Sequence, residues 1–590
     1  MTEPPSVLRR LAESSLALPL LVLLCLGAYL PGLFSIPPID RDESRFAQAS
    51  RQMFESVALP ASMQDPAMHG GGLAVPQVQS RPRLNKPPLI YWMQSASAAA
   101  GTGGNPLHDA IWMYRVPGVL CAIGAAAATW RLALLMCAGM NGARTIAWIA
   151  GAGLAVSPVV IIDAHQARAD QLLLLTVVLT QWMLWKIASG DRRLAVAAAF
   201  WFFIALGVLA KGPITPLIAA FTALAWSAAR REWRWLSTLR PLLGLGLIAL
   251  VVGPWVYAVA AHVGFENYWR TIWNETVGRS VEGQEGHWGP PGYHLLLMFF
   301  LLWPVSLGAP GALVVFWRCM RREKSGGLRA GLCRASRERP RDAFLLAWII
   351  PGWIMFELVS TKLPHYTLPL FPALCILSAS WLVEVATRAR AAGVGAAPSG
   401  AFLHLTRFWF GTGMVVLCAI GALTLSPSWW GMLGWWKGAD PDQPLPRTNW
   451  VLIVPIALML MCMWKSGREL AGLRTAEAIG LACCAAVIGF GLLLGVVAPS
   501  ALSLSTRIVA VIEPAHEPIS LVGYGEDSMI FLTRGKAVRR SLEDAAPGIV
   551  VQSVARETEA APGVKLLRGF NIAKGRCESV TVSRTAGGAR

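Results

Sequence analysis

Apolar runs of about twenty residues, the length that crosses roughly 30 Å of hydrocarbon as a helix, recur throughout this chain of 590 residues. They fall near 15–35, 112–137, 144–162, 170–187, 194–210, 212–229 and 240–262 in the first half. In the second half they fall near 293–317, 343–360, 366–387, 408–426, 449–464 and 476–498. Two polar stretches are too long to be simple connections: residues 36–111, and everything after about Pro499. The pattern predicts an all-α polytopic membrane protein with about thirteen transmembrane helices over residues 1–498 and interfacial helices in the loop 36–111. A small C-terminal α/β domain follows over 499–590, where 519–525, 528–535 and 548–552 read as short strands bounded by turn residues. Residues 391–400 are small and Gly/Pro-rich, a linker.

Composition agrees with a membrane class, since 55% of residues are hydrophobic and only 15% are charged. Lys and Arg exceed Asp and Glu by 18, a surplus that in such a chain reports topology before it reports a nucleic-acid partner. Arg9/Arg10, Arg192/Arg193, Arg230/Arg231/Arg234, the run from Arg318 to Arg341, Arg388/Arg390 and Lys465/Arg468 all fall on one face of the span count. Basic loops mark the cytoplasmic side, so the loop 36–111 and the C-terminus face outward. The first apolar run follows Arg9 and Arg10 but is long enough to span, and reads as an uncleaved helix. Most of the eleven cysteines sit inside apolar runs, and Cys577 stands alone in the tail. That excludes a disulfide framework and a paired-cysteine metal site.

The outer face collects the chemically loaded segments. Asp42 to Phe54 has apolar residues at helical spacing behind an acidic start, so an amphipathic surface helix begins near Asp42. Asp42 can cap that helix, but Asp40, Asp42 and Glu43 together exceed what one cap needs, and Arg45 lies three residues on, within pairing reach of Asp42. Asn85-Lys86-Pro87-Pro88 presents a lysine on stiffened backbone beside Tyr91 and Trp92. Such a lysine either meets a phosphate or snorkels at headgroup level. Arg168-Ala-Asp170 opens a span, Lys211-Gly-Pro closes one, and Lys362-Leu-Pro-His365-Tyr366 lies at another span edge. Ionisable groups at such depths either terminate helices or are paired and functional. The outer loop 266–287 adds Arg270, Arg279, Glu275, Glu282 and Glu285 among tryptophans; the aromatics suit an interfacial belt or a sugar platform.

Taken as a set and in order, Asp42-Glu-Ser-Arg-Phe-Ala, Lys86-Pro-Pro-Leu-Ile-Tyr-Trp, Arg168-Ala-Asp170, Leu209-Ala-Lys-Gly-Pro213 and Ser360-Thr-Lys-Leu-Pro-His-Tyr-Thr-Leu-Pro369 resemble the lipid-linked-sugar glycosyltransferases of the GT-C type. The likeness is to the bacterial aminoarabinose transferases of lipid A and their protein mannosyltransferase cousins, over about residues 10–380. It implies a multi-pass inner-membrane enzyme with a periplasmic active site, taking a sugar from a polyprenyl phosphate to lipid A or another envelope acceptor by a single displacement with inversion. By that resemblance Asp42, Glu43 and Asp170 are the catalytic acids, Lys86, Arg45, Lys211, Arg279 and Lys362 the contacts to donor phosphate, and Tyr91, His365 and Tyr366 contacts to substrate. Phe46 stands where the related sequences have tyrosine, and Asn85 where the aminoarabinose branch commonly has an acid. No cofactor is specified, and loss of that acid weakens a divalent metal site. A protein O-mannosyltransferase is the alternative within the class. A lipid or glycan transporter is the alternative outside it, and would place charge near mid-membrane.

Overall fold

The computed structural model describes residues 10–11, 13–39, 41–274, 289–322, 327–391, 400–425, 449–493, 495–496, 504–512, 517–555, 563–571 and 576–585. The chain is a multi-pass membrane protein. Among the described residues eight helices are long and apolar enough to cross a membrane, and a bent pair, Ala143–Ala155 with Pro158–Ala164, makes a ninth span broken by 52°. Three shorter apolar helices, Ala17–Tyr29, Ile214–Arg230 and Val305–Met320, accompany them.

The expected count of about thirteen is not confirmed. The run 293–317 divides into helices Tyr293–Leu301 and Gly308–Met320, because Pro304 between them offers no N–H to continue a helix. Helix Pro340–Leu358 is long enough to span but carries Arg341 and Asp342, both buried, in its first turn. Close approach of the later helices depends on one small residue: a Cβ on Gly308 would lie 2.4 Å from the Ser378 carbonyl oxygen. Only glycine lets two backbones meet so closely.

Seven helices position the candidate site: α1 (Ala17–Tyr29), α2 (Asp42–Ala58), α3 (Leu89–Gly101), α4 (Ile111–Met136), α5 (Ala143–Ala155), α6 (Pro158–Ala164) and α7 (Asp170–Ala188). An eighth, α8 (Leu194–Lys211), runs beside α7. Helices α2 and α3 are the interfacial pair of the first long loop, and they pack on each other and on the outer end of α4. The face of α2 made by Phe46, Ala49 and Met53 joins Ile90 and Tyr91 of α3, Cys121 of α4, Leu172 of α7 and Ala210 of α8 in one apolar cluster.

The polar side of α2 is not on a surface as its amphipathic sequence predicts. Gln48, Arg51, Gln52 and Glu55 are all buried, because the C-terminal domain and the first loop cover them, the latter through the Met68 and Gln79 carbonyls that accept from Gln52. That domain is a five-stranded sheet of β3 (Ile519–Val522), β4 (Ala537–Arg539), β5 (Gly548–Val554), β6 (Lys565–Asn571) and β7 (Arg576–Thr585) in the order β4-β3-β5-β7-β6. The strands β1 (Gln77–Val78) and β2 (Arg81–Pro82) form a separate small hairpin in the first loop. Strand β3 is parallel to both β4 and β5, and β7 is antiparallel to β5 and β6. The sheet has a core of its own, including Ile508, Leu521, Met529, Val551 and Val580.

The segment 528–535, expected as a strand, is instead mostly the helix α9 (Asp527–Leu532). Parallel strands need a crossover connection, and a run as short and apolar as Met529-Ile-Phe-Leu does not by its pattern distinguish helix from strand. This helix is the docking element. Arg51 of α2 donates to the Phe531 carbonyl at 2.5 Å and lies over the Phe531 ring, 3.8 Å from its centroid. Arg534 pairs with Asp109 at 2.6 Å and with Glu55 at 2.6 Å. Asp109 also accepts from Arg51 at 2.7 Å and from the Tyr114 hydroxyl at 2.5 Å.

Burial pushes the Asp109 carboxyl up, but Arg51, the Tyr114 hydroxyl and Arg534 outweigh it and hold the group below the usual carboxylate range. A depressed folded-state pKa stabilises the folded form above the unfolded value, so this contribution is complete above about pH 4 and is lost as pH falls below it. Asp109→Asn leaves two guanidinium groups facing a neutral amide and should weaken docking by about 3 kcal/mol. Hydrogen exchange in α9 and β4 should rise in that variant, and unchanged protection there would refute the role given to Asp109.

Candidate active site

The site begins with a buried ion pair. Arg115 of α4 places Nε 2.7 Å from one Glu43 oxygen and Nη2 3.0 Å from the other, with neither side chain exposed. Its remaining N–H groups donate to the carbonyls of Leu33, Ile36 and Pro37. Glu43 in turn accepts from the backbone N–H of Ile39 at 2.7 Å and of Ala167 at 2.9 Å. One carboxylate thus joins the exit of the first helix, the start of α2, α4 and the turn before α7. Both charges have their hydrogen-bonding capacity filled, the condition under which a buried pair is tolerated. Glu43, expected as a catalytic acid, is therefore committed to holding its neighbour in place.

That neighbour is Asp42. Helix α2 is entered through Arg41 at a φ of 66°, with no side-chain cap, so Asp42 is not the helix cap. Its side chain is 48% exposed. Arg45, expected to pair with it, turns to Asp527 of the C-terminal domain at 2.7 Å. The partner is Arg83, whose Nη2 is 3.4 Å from Asp42 Oδ1 and whose Nε donates to the Tyr91 hydroxyl at 2.9 Å. The Arg83 guanidinium also lies 4.8 Å from the centroid of the Phe46 ring, and Phe46 stacks on Tyr91 at 5.2 Å. The phenol absent at position 46 is thus matched by one from position 91. Burial raises the Asp42 carboxyl, but Arg83, Arg168, Lys86 and Arg45 outweigh it and hold it below the usual range.

A second carboxylate lies where the ends of several segments converge. Asp170, at the start of α7, accepts from Lys211 at the end of α8 at 2.5 Å and is 3.2 Å from Arg168. His365 stands 3.7 Å from Asp170, and Arg168 Nη2 is 2.7 Å from its Nε2. With a guanidinium donating to it, that ring nitrogen must be the unprotonated acceptor. Asp163 of α6 adds a further carboxylate 3.6 Å from Arg168. Two buried polar atoms of this region, Arg168 Nε and Asp163 Oδ1, and Asn85 Oδ1 in the first loop have no hydrogen-bond partner. Buried polar groups are rarely left so, and a polar ligand would satisfy them.

The other expected residues distribute differently. Lys86 is half-buried and acts electrostatically on Asp42. Lys362 is buried away from the Asp170 cluster, bonded to Glu357 at 3.2 Å and to the Pro290 carbonyl at 3.1 Å. It braces a loop. Tyr366 packs against Phe356 and His365. Arg279 lies outside the described residues. Among the described residues, no three of His, Cys, Asp and Glu are grouped to hold a metal ion.

Arg83, Arg115 and Asp163 were missed by reading the sequence. Arg115 carried a signal, being a cation inside an apolar run where charge is costly and therefore paired. Arg83 carried none, because its alternation with Arg81 resembles any basic loop.

Residues 85–257 match the family described as dolichyl-phosphate-mannose-protein mannosyltransferase. The undecaprenyl phosphate-alpha-4-amino-4-deoxy-L-arabinose arabinosyl transferase of Edwardsiella ictaluri is 28% identical over 60% of this chain and 56% of its own length. The protein of that name from Erwinia tasmaniensis is 25% identical over 78% of this chain and 72% of its own. The chain thus spans just over half the length of the first of these relatives. The crystal structure of ArnT from Cupriavidus metallidurans bound to undecaprenyl phosphate superposes with a TM-score of 0.69 at 17% identity, covering 98% of this chain and 100% of that one. The chain shares the fold of that ArnT. Within this fold, Asp42 stands at the start of the first helix of the long loop and Asp170 at the start of a span.

Arg115→Leu leaves Glu43 buried without its cation and should lower stability by about 3–5 kcal/mol. Removing both charges with Glu43→Gln and Arg115→Met together should cost clearly less than Arg115→Leu alone. Thermal unfolding of the wild type and both variants in detergent checks this, and equal losses in the two variants would contradict the pairing.

Proposed function

We propose that this protein is a glycosyltransferase that moves a sugar from a polyprenyl-phosphate donor to an acceptor of the bacterial envelope. The observation that carries the reading is the half-open Asp42 carboxylate, kept ionised beside Arg83, Lys86 and Arg168, next to the Asp170–Lys211–Arg168 cluster. Breaking a glycosyl-phosphate bond builds negative charge on the departing phosphate, and fixed cations in a water-poor site stabilise that charge. Lys86, Lys211 and Arg168 are the cations we assign to it, with Asp170 and His365 holding the latter two in place. Asp42 serves as base toward a hydroxyl acceptor, or orients an acceptor that is already anionic. A single displacement inverts the sugar's configuration.

The names of the relatives support the donor: several are undecaprenyl phosphate-aminoarabinose transferases, and the superposed structure holds undecaprenyl phosphate. Lipid A is the acceptor we favour, in keeping with the aminoarabinose likeness. The concentration of basic loops on one face supports a cytoplasmic placement for that face, hence a periplasmic site and C-terminal domain in the inner membrane. The match of residues 85–257 to a mannosyltransferase family keeps a protein acceptor as the second reading. A transporter is disfavoured because the charged clusters lie at span ends.

Asp42→Asn should leave the protein folded and inserted while reducing sugar transfer in proteoliposomes by about 10²- to 10⁴-fold. Undiminished transfer by that variant removes Asp42 from the mechanism. Because the group's pKa is lowered, its ionisation should not limit kcat/KM until the pH falls below about 4. An acidic limb near pH 6 would assign the titration to some other group.

A further inference from the structure

The C-terminal domain does more than cover α2. A cavity of about 790 Å³ opens between it and the hairpin β1–β2 of the first loop, within the size range of small-molecule sites. Its walls carry Arg45, Arg81 and Arg83 from the first loop and Lys536 and Arg539 from the C-terminal domain, against only Asp65 and Asp527. Asp527 is shared between Arg45 at 2.7 Å and Arg539 at 2.6 Å, so the acids do not neutralise the cavity. Arg81 and Lys536 are exposed, one from each side.

Arg83 belongs both to this cavity and to Asp42, 3.4 Å away. The cavity therefore abuts the carboxylate to which the acceptor must come. None of its lining residues belongs to a helix long and apolar enough to cross the membrane. A donor lipid presents its phosphate at the span ends, where Lys211 and Arg168 already meet Asp170.

We infer that this cavity binds the phosphorylated headgroup of the acceptor, and that Arg81 and Lys536 select acceptors bearing phosphate. The inference rests on the proposed transferase reading and gives the C-terminal domain a part in acceptor choice. Two cations lost from a charge-assisted contact should weaken anion binding about tenfold.

The test uses full-length protein in nanodiscs of zwitterionic lipid and the double variant Arg81→Gln with Lys536→Gln. Inorganic pyrophosphate, titrated without turnover, should bind the wild type at least about tenfold more tightly than the variant. With an undecaprenyl-phosphate sugar donor and diphosphorylated lipid A, the variant should raise the acceptor KM about tenfold and leave the donor KM unchanged. Monophosphoryl lipid A should be less affected, and Arg81→Lys with Lys536→Arg should restore the acceptor KM.

Unchanged pyrophosphate binding together with an unchanged acceptor KM overturns the inference. A raised donor KM overturns it as well, by making the cavity a donor site. If the wild type transfers no sugar to any acceptor yet the variant loses pyrophosphate, the transferase reading fails while the anion site stands.

Discussion

Two opposite charges withheld from water, Glu43 and Arg115, set the geometry on which the candidate site depends. Burying either alone would be prohibitive, and burying both is tolerable only because every donor and acceptor finds a partner. Those partners are backbone groups of the first-helix exit and of the turn before α7. The pair therefore acts as a junction between segments far apart in sequence. Asp42 takes its position from being the residue beside that junction.

A second charged seam, Arg51–Asp109–Arg534–Glu55, joins the C-terminal domain to the same helix from its other side. Helix α2 thus lies between a membrane-facing apolar cluster and a covering domain, which explains why its polar face is buried. Rigidity at this helix has an electrostatic consequence. The Asp42 carboxyl is held below its usual range by Arg83, Arg168 and Lys86, an effect that depends on those cations lying at set distances, and a helix held on both sides keeps them there.

Part of the candidate site was legible from placement. Asp170 and Lys211 are ionisable residues at the edges of apolar runs, where their cost marks them out, and Asp42 and Lys86 stand at or just before the starts of the two helices of the long loop. Arg45 and Lys362 satisfied the same rule and yet turned elsewhere, to Asp527 and Glu357. A residue's position relative to the membrane can be read from its neighbours in sequence, whereas its choice among several opposite charges cannot. Arg83 shows the converse: nothing local distinguishes it, and only the stacked Phe46 and Tyr91 rings place it against Asp42.

By itself the sequence determined the membrane class, the long first loop with its helix at Asp42, and the small C-terminal domain. These follow from the lengths of apolar runs and from helical spacing, properties of short stretches of chain. Tertiary structure alone decided that the run at 293–317 divides, that 527–532 is a helix crossing between parallel strands, and that this helix covers α2. It also decided the partner of every buried charge. The reason is physical: the energy of a buried charge depends on opposite charges within a few ångströms, and here these come from segments hundreds of residues away, as Asp109 and Arg534 do.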